Sequence, residues 1–511
     1  MIYESTRGIS EQTHSADIIL QGIADDGGLF VPKSLPKLDR HDLEDMLDMD
    51  YSQRAKKILA LFLTDYAAEE IELCVARAYD SNKFSSRHVA PIYSLSDNIK
   101  LLELWHGPTC AFKDMALQIL PHLMSIAIQK KAIKEDIVIL VATSGDTGKA
   151  ALEGFKDVKG THILVFYPKE GVSLIQERQM NTQEGENVYV VGIEGNFDDA
   201  QAGVKAIFAD ADFNRIMKNS GYRLSSANSI NWGRLVPQLI YYISSYLDMI
   251  EHGDLNWEES FDVVVPTGNF GNILAAYYTK KMGIPIDRLI CASNRNNILT
   301  DFISTGTYDS NREFFKTASP SMDILISSNL ERLLYELVDR NPAKLSKLML
   351  DLKERGVFKL TKDQLKVLKK DFWSGYADDN ETLNTIRAIY DEYNYVLDPH
   401  TAVAMKVLLD YRKQIDDNKK TLVISTASPY KFIEDVLKAI GDEDSLDSLD
   451  DFEMLYKLSS IAGTDIPDPL RDLKDKKILH TTDVSKKDMD NVLVNIFNLD
   501  GVNLCRLQVH R

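Results

Sequence analysis

Cysteine is scarce in this 511-residue chain. Its four cysteines, Cys74, Cys110, Cys291 and Cys505, stand far apart, and no two have the spacing of a zinc knuckle or a redox pair. That excludes a disulfide-stapled secreted framework and points to a reducing compartment. Long apolar runs are missing too: no stretch approaches the roughly 18 residues needed to cross a bilayer. The opening MIYESTRGIS has neither the charged-then-apolar layout of a signal peptide nor the Arg-rich character of a transit peptide. A cytoplasmic address without membrane contact is the expectation. Basic clusters are also absent. The 59 Lys and Arg face 77 Asp and Glu, a net charge of −18, whereas nucleic acid is gripped by concentrated positive charge; a nucleic-acid partner is not expected. The chain has no G-x-G-x-x-G, H-E-x-x-H or G-x-S-x-G, and its 10 histidines are scattered, so no metal site is expected. Gly145–Ala150 falls short of a Walker-type phosphate loop. Its spacing is short, and Ala150 follows Lys149 where a metal-binding hydroxyl belongs.

What is present is an ordinary globular composition, 44% apolar and 27% charged, long enough for about two to four domains. Short β-branched runs at Ile137–Ala142, Ile163–Tyr167, Val188–Ile193, Asp262–Val265 and Thr421–Ile424 alternate with helix-like stretches. Continuous apolar strands alternating with helices predict parallel sheet covered on both faces, an α/β architecture. Residues Asp42–Tyr79 and Asn329–Arg355 carry apolar residues at helical period, and Thr361–Gln364 fits a capping box. The acidic run Gly441–Glu453 reads as a solvated loop or helix flank.

Two kinds of segment could carry chemistry. In His106–Lys113 (HGPTCAFK), Lys113 enters an apolar-periodic stretch beside Phe112 and small residues. A desolvated lysine has a lowered pKa, which supplies the neutral amine that attacks an aldehyde to form a Schiff base; the alternative is a solvated surface charge. Gly268-Asn269-Phe270-Gly271-Asn272 lies between a predicted strand and a predicted helix. Backbone N–H groups and the helix dipole make such a turn a ready anion site, although a Gly-Asn-rich turn can be a turn and nothing more. Ser144–Gly148 is a second such turn, with hydroxyls and a central Asp146. Two phosphate-friendly turns and a helix-entry lysine together suggest a phosphorylated aldehyde cofactor and an anionic substrate.

At these residues the chain resembles the pyridoxal-phosphate-dependent threonine synthases, in their longer microbial and fungal branch. The resemblance runs through Tyr3–Gly8 (YESTRG), Asp25–Pro32 (DDGGLFVP), HGPTCAFK, Ala142–Gly148 (ATSGDTG), Ser226–Asn231 (SANSIN) with Arg234, Pro266–Asn272 (PTGNFGN) and Ser425–Thr426, in order over nearly the whole chain. It implies a fold-type-II enzyme, similar to the tryptophan synthase β-subunit, with two sheet-containing domains and a mostly helical N-terminal domain over 1–90. The large cofactor domain would take 91–125 and 223–511, with a helical insertion near 325–395, and the small α/β domain 126–222. By the same resemblance Lys113 holds the cofactor, pyridoxal 5′-phosphate, and later shuttles protons. Gly268, Asn269, Phe270, Gly271 and Asn272 cradle its phosphate, Thr426 faces its ring nitrogen and Asp146 stands near its 3′ oxygen. Asn228, Ser229 and Arg234 would hold the substrate phosphate, with Ser144 and Thr147 as contacts to the substrate carboxylate or phosphate.

The activity so implied is that of a carbon–oxygen lyase of threonine biosynthesis, turning O-phospho-L-homoserine and water into L-threonine and phosphate, in a monomer or homodimer. Two other readings stand beside it: a phospho-lyase giving 2-oxobutyrate from phosphohomoserine or phosphothreonine, and a non-catalytic binding protein on a decayed enzyme fold. The chain departs from the family pattern at Ser428 and Tyr430, reading STASPYKF where relatives often have STAHPAKF. Either a role of that histidine is filled differently here or the turn tolerates the change. The net charge implies a positive pocket inside an acidic shell, with Gly441–Glu453 away from it.

Overall fold

The apolar runs assemble into two parallel sheets in a computed structural model that describes residues 1–8, 13–143, 145–169, 172–441, 446 and 449–499. The first sheet has the order Phe372–Tyr376, Ile286–Ser293, Phe261–Pro266, Thr421–Ser425, Ile99–Glu103, Ile92–Ser96. All neighbours run parallel except the last pair. Val263, Val264 and Val265 are all buried, as a strand covered on both faces requires. The second sheet is wholly parallel, in the order Thr482–Ser485, Val188–Glu194, Thr161–Pro168, Asp136–Ala142, Tyr222–Ser225. The five runs read as strands are therefore strands, each within one or two residues of its expected ends.

The N-terminal region is mostly helical, with Arg40–Glu44, Tyr51–Phe62 and Ala68–Ala78, and the first two open on capping boxes at Asp39 and Asp50. It also holds a small antiparallel pair, Tyr3–Ser5 with Phe30–Pro32, fastened by the Tyr3 hydroxyl donating to the Phe62 carbonyl at 2.8 Å. These elements pack on Trp232–Glu251, a helix buried on nearly every side. Asn231 caps it, its side chain accepting from the Gly233 N–H at 2.8 Å.

Domain limits differ from those expected. Position 125 falls inside the helix Leu120–Lys130, and the second sheet takes its edge strand Thr482–Ser485 from the C-terminal region assigned to the large domain. The helix Met489–Ile496 follows that strand, and Met489, Val492 and Leu493 complete the core of the small sheet. The insertion near 325–395 is not helix alone, since it supplies the edge strand Phe372–Tyr376 of the first sheet. Within it the periodic stretch 329–355 splits into Leu330–Leu337 and Pro342–Arg355. Asp339 and Arg340 take positive φ between them, and Pro342 fits only the first turn of a new helix. Thr361 and Gln364 form the expected capping box. No helix among the described residues is long and apolar enough to cross a membrane.

Candidate active site

The carboxyl ends of strands from both sheets open onto one cavity of about 670 Å³. Ligands of open parallel sheets bind at such ends because helix N-termini converge there. Phe112 and Lys113 line the cavity from the segment HGPTCAFK, in which Cys110 holds φ +58°, an uncommon conformation for a residue with a side chain. Asp114 steadies this loop by accepting from the Thr109 backbone N–H and hydroxyl, both at 2.8 Å. Burial raises the Asp114 carboxyl to about 6, against those two hydrogen bonds.

Lys113 is 9% exposed and projects into the cavity. Its Nζ donates to the Ser321 hydroxyl at 3.0 Å and to Asp146 Oδ2 at 3.4 Å. Burial lowers its pKa, the attraction of Asp146 opposes that, and the nearby Lys431 and Arg234 reinforce it. Asp146 opens the helix Asp146–Phe155 behind Gly145, whose φ of +137° strains any residue with a side chain and where an added Cβ would meet the Gln176 amide at 2.5 Å. Its Oδ1 meets Lys431 Nζ at 2.6 Å and accepts from Gln176 Nε2 at 3.0 Å. Burial alone would raise its pKa, but Lys431 and then Lys113 hold it well below the usual carboxylate range.

Across the cavity, the turn after Phe261–Pro266 leads into the helix Gly271–Met282. Phe270 is left-handed at φ +62°, a strained position for a bulky residue, with its ring buried against Phe372. The insertion braces the turn from outside: Ser327 Oγ donates to the Gly268 carbonyl at 2.8 Å, and the Asn329 backbone and side chain donate to the Asn269 carbonyl at 3.1 and 2.9 Å. The hydroxyls of Tyr241, at 2.9 Å, and Tyr242 both reach Asn272 Oδ1, so its Nδ2 is the free end, buried and without a partner among the described residues. A pinned donor beside helix N–H groups that lack intrahelical acceptors suits an anion.

Arg234 is 5% exposed, donates from Nη1 to the Ala227 carbonyl at 3.0 Å, and leaves Nε without a partner among the described residues. Burial lowers its pKa to about 10, and no carboxylate pairs with it among the described residues. A buried guanidinium without an acid is costly unless an anion completes it.

The cavity thus gathers Lys113, Asp146, Thr147 and Thr426, then Asn228, Ser229 and Arg234, and the whole turn Gly268, Asn269, Phe270, Gly271 and Asn272. Ser144 lies outside the described residues. So does part of Gly441–Glu453, whose described residues do not line the cavity. Ser428 and Tyr430 are buried off the cavity, the Tyr430 hydroxyl donating to the Thr464 carbonyl at 2.8 Å. Sequence reasoning missed Ser321, His400, Gln176 and Lys431. Of these only Lys431 left a trace, standing in STASPYKF directly after Tyr430, the second of the noted departures. A larger groove of about 950 Å³ beyond Ser327 and Ser328 is a poorer candidate, because its Arg7 is already paired with Glu331 at 3.0 Å.

Comparison with known proteins agrees with this geometry. Family models match over residues 2–79 (threonine synthase N terminus), 94–427 (pyridoxal-phosphate dependent enzyme) and 401–493 (threonine synthase, C-terminal). The chain is 37% identical over 459 residues to the threonine synthase of Schizosaccharomyces pombe, covering 84% of this chain and 87% of that one. It is 42% identical over 436 residues to threonine synthase-like 1 of Pongo abelii, covering 83% of this chain, and spans 58% of that relative's length. The crystal structure of pyridoxal-phosphate-bound threonine synthase from Brucella melitensis superimposes with a TM-score of 0.87 at 35% identity, over 98% of this chain and 100% of that one. An α/β chain with a buried cavity lysine, a braced Gly268–Asn272 turn and these relatives belongs to the threonine synthase family of pyridoxal-phosphate-dependent enzymes.

Proposed function

We propose that the protein converts O-phospho-L-homoserine and water to L-threonine and phosphate. The observation that carries this reading is Arg234, a buried cation without an acid, in the same cavity as a separate anion turn and a lysine of lowered pKa. One anion site suits the cofactor phosphate and the other a phosphorylated substrate. The residues present fit pyridoxal phosphate: Lys113 would take its aldehyde, the free Asn272 Nδ2 and the Gly268–Asn272 backbone its phosphate, Thr426 its ring nitrogen and Asp146 its 3′ oxygen side. When bound, it supplies an electron-withdrawing ring that stabilises negative charge at the α-carbon of the substrate.

The protein's own groups do the rest. Lys113 Nζ, whose hold on its proton burial weakens, removes the α proton and relays protons to and from neighbouring carbons. Arg234, with Asn228 and Ser229 at the same cavity, binds the substrate phosphate and stabilises it as its bond to Cγ breaks; Thr147 orients the substrate's anionic groups, a role that the family resemblance extends to Ser144. Water then adds at Cβ, so one C–O bond breaks and another forms. A monomer or homodimer in the cytoplasm completes the reading. Incubating the purified protein with O-phosphohomoserine and assaying threonine, 2-oxobutyrate and phosphate together tests it. Threonine and phosphate in equal amounts are expected, whereas 2-oxobutyrate as the main product would make the protein a phospho-lyase.

A further inference from the structure

The reaction as described gives no task to the turn Pro320–Met322 or to His400, yet both line the cavity beside Lys113. Ser321 stands in that turn with its hydroxyl 3.0 Å from Lys113 Nζ and 3.4 Å from Asp146 Oδ2. Two walls fix the turn. On one side the Ser321 carbonyl lies against Gly268, where an added Cβ would come within 2.7 Å of it. On the other, the Ser321 backbone N–H donates to His400 Nε2 at 3.2 Å. An accepting Nε2 puts the imidazole proton on Nδ1, which donates to Asp398 Oδ1 at 2.8 Å. Asp398 is itself held, since it caps the helix Pro399–Ile415 through the backbone N–H groups of His400 and Thr401. Asp398 and His400 are 1% and 2% exposed, so this clamp is shielded from water.

We propose that Ser321 is a further catalytic contact of Lys113, and that His400, backed by Asp398, is the residue that positions it. An amine nitrogen has three positions besides its carbon. Ser321 Oγ and Asp146 Oδ2 accept at two of them, which leaves one for the reacting proton. In the neutral amine that position is the lone pair. When it takes a proton from the bound substrate, a third N–H forms as the C–H bond breaks, and the electron pair stays with the substrate. Without Ser321 the amine turns more freely and its lone pair is aimed only part of the time. This rests on Lys113 being the proton-transferring base, as proposed above. The groups facing its amine are Asp146, Lys431 and Arg234, with Phe112 beneath it at 5.4 Å from the ring centroid.

The test compares Ser321→Ala, Ser321→Thr, His400→Ala and the double variant Ser321→Ala/His400→Ala with the wild-type holoenzyme, and measures uptake of pyridoxal phosphate by each apoprotein across pH. Uptake reports the neutral fraction of Lys113 directly, whatever product the enzyme forms, so it separates this proposal from the reading of the reaction. Ser321→Ala should lower kcat about 10- to 100-fold with KM within about twofold. It should also move the pH midpoint of cofactor uptake down by about one unit, because an ammonium loses more than an amine when an acceptor is removed. Ser321→Thr, which keeps the hydroxyl, should restore both. His400→Ala should share the kcat defect, and the double variant should be no worse than Ser321→Ala. A wild-type uptake midpoint in Ser321→Ala, or fully additive losses in the double variant, would overturn the proposal. Should Ser321→Ala not fold, wild-type kcat and uptake in His400→Ala would overturn it equally.

Discussion

Lys431 shows how much one buried residue can control. Its side chain is fully buried, 2.6 Å from Asp146 and donating to the Thr109 carbonyl at 3.0 Å, so it joins that cavity carboxylate to the loop that carries Lys113. Replacing it by methionine strands a buried carboxylate with one partner fewer, at a cost of about 3–5 kcal/mol. Adding Asp146→Asn should recover most of the loss, because the charge that lacked its partner is gone. Denaturant unfolding of the two variants checks this; equal instability would refute it. Asp114 gives a pH signature. Its folded pKa of about 6 lies above the ordinary 3.8, so the folded protein binds this proton more tightly than the unfolded chain does. The group therefore costs nothing below about pH 4 and its cost grows as pH rises through 6, to about 3 kcal/mol at most. Asp114→Asn does not titrate, so wild-type stability relative to the variant should fall between pH 4 and 6 and level off above; a constant difference would count against the raised pKa. Such residues were unequally legible. Lys113, Arg234 and the Gly268–Asn272 turn stand in contiguous motifs whose residue types declare their chemistry. Ser321, His400 and Lys431 are ordinary residues that only the fold brings beside Lys113, across 208, 287 and 318 positions of chain.

Among the elements, the turn Gly268–Asn272 is formed by local sequence but held by distant sequence. The strand before it and the helix after it follow from apolar patterning, whereas the hydrogen bonds of Ser327 and Asn329 that brace it come from the insertion. Gly268 is needed for close approach, since a Cβ there would meet the Ser321 backbone oxygen at 2.7 Å and a backbone atom has little freedom to yield. Gly268→Ala should thus displace both walls of the cavity at once and weaken pyridoxal phosphate binding about 10- to 100-fold. Titration of the apoprotein with cofactor measures this, and unchanged affinity would show that the turn absorbs the methyl. Strands with continuous β-branched runs could be read in advance. Ile99–Glu103 could not: Lys100 and Glu103 interrupt its pattern, and both are buried with partners, Lys100 meeting Asp254 at 2.6 Å and Ser94 at 2.8 Å, Glu103 meeting His106 at 2.8 Å and accepting from the Tyr395 hydroxyl at 2.6 Å.

The whole molecule is closed by its C-terminal region. After supplying Thr426 to the cavity and Lys431 to Asp146, the chain crosses to the small sheet, adds Thr482–Ser485 to its edge, and fills the core below with Met489, Val492 and Leu493. Covering that edge satisfies strand groups that would otherwise be open. Leu493→Ala should cost about 2–5 kcal/mol, and the loss should be local. Hydrogen exchange should quicken in Thr161–Pro168 and Val188–Glu194 while Phe261–Pro266 keeps its protection; uniform quickening would mean that the two sheets unfold as one unit. By itself the sequence determined the α/β class and singled out Lys113, the turn Gly268–Asn272 and Arg234, all of which line the cavity, because period, residue type and short motifs act over a few residues. Only the tertiary structure decided that Asp146 is shared by two lysines, that Ser321 and His400 line the cavity with Lys113, and that Thr482–Ser485 and Met489–Ile496 belong to the small sheet. Those facts depend on burial and on contacts across hundreds of residues, where desolvation and pairing, rather than local preference, set the energies.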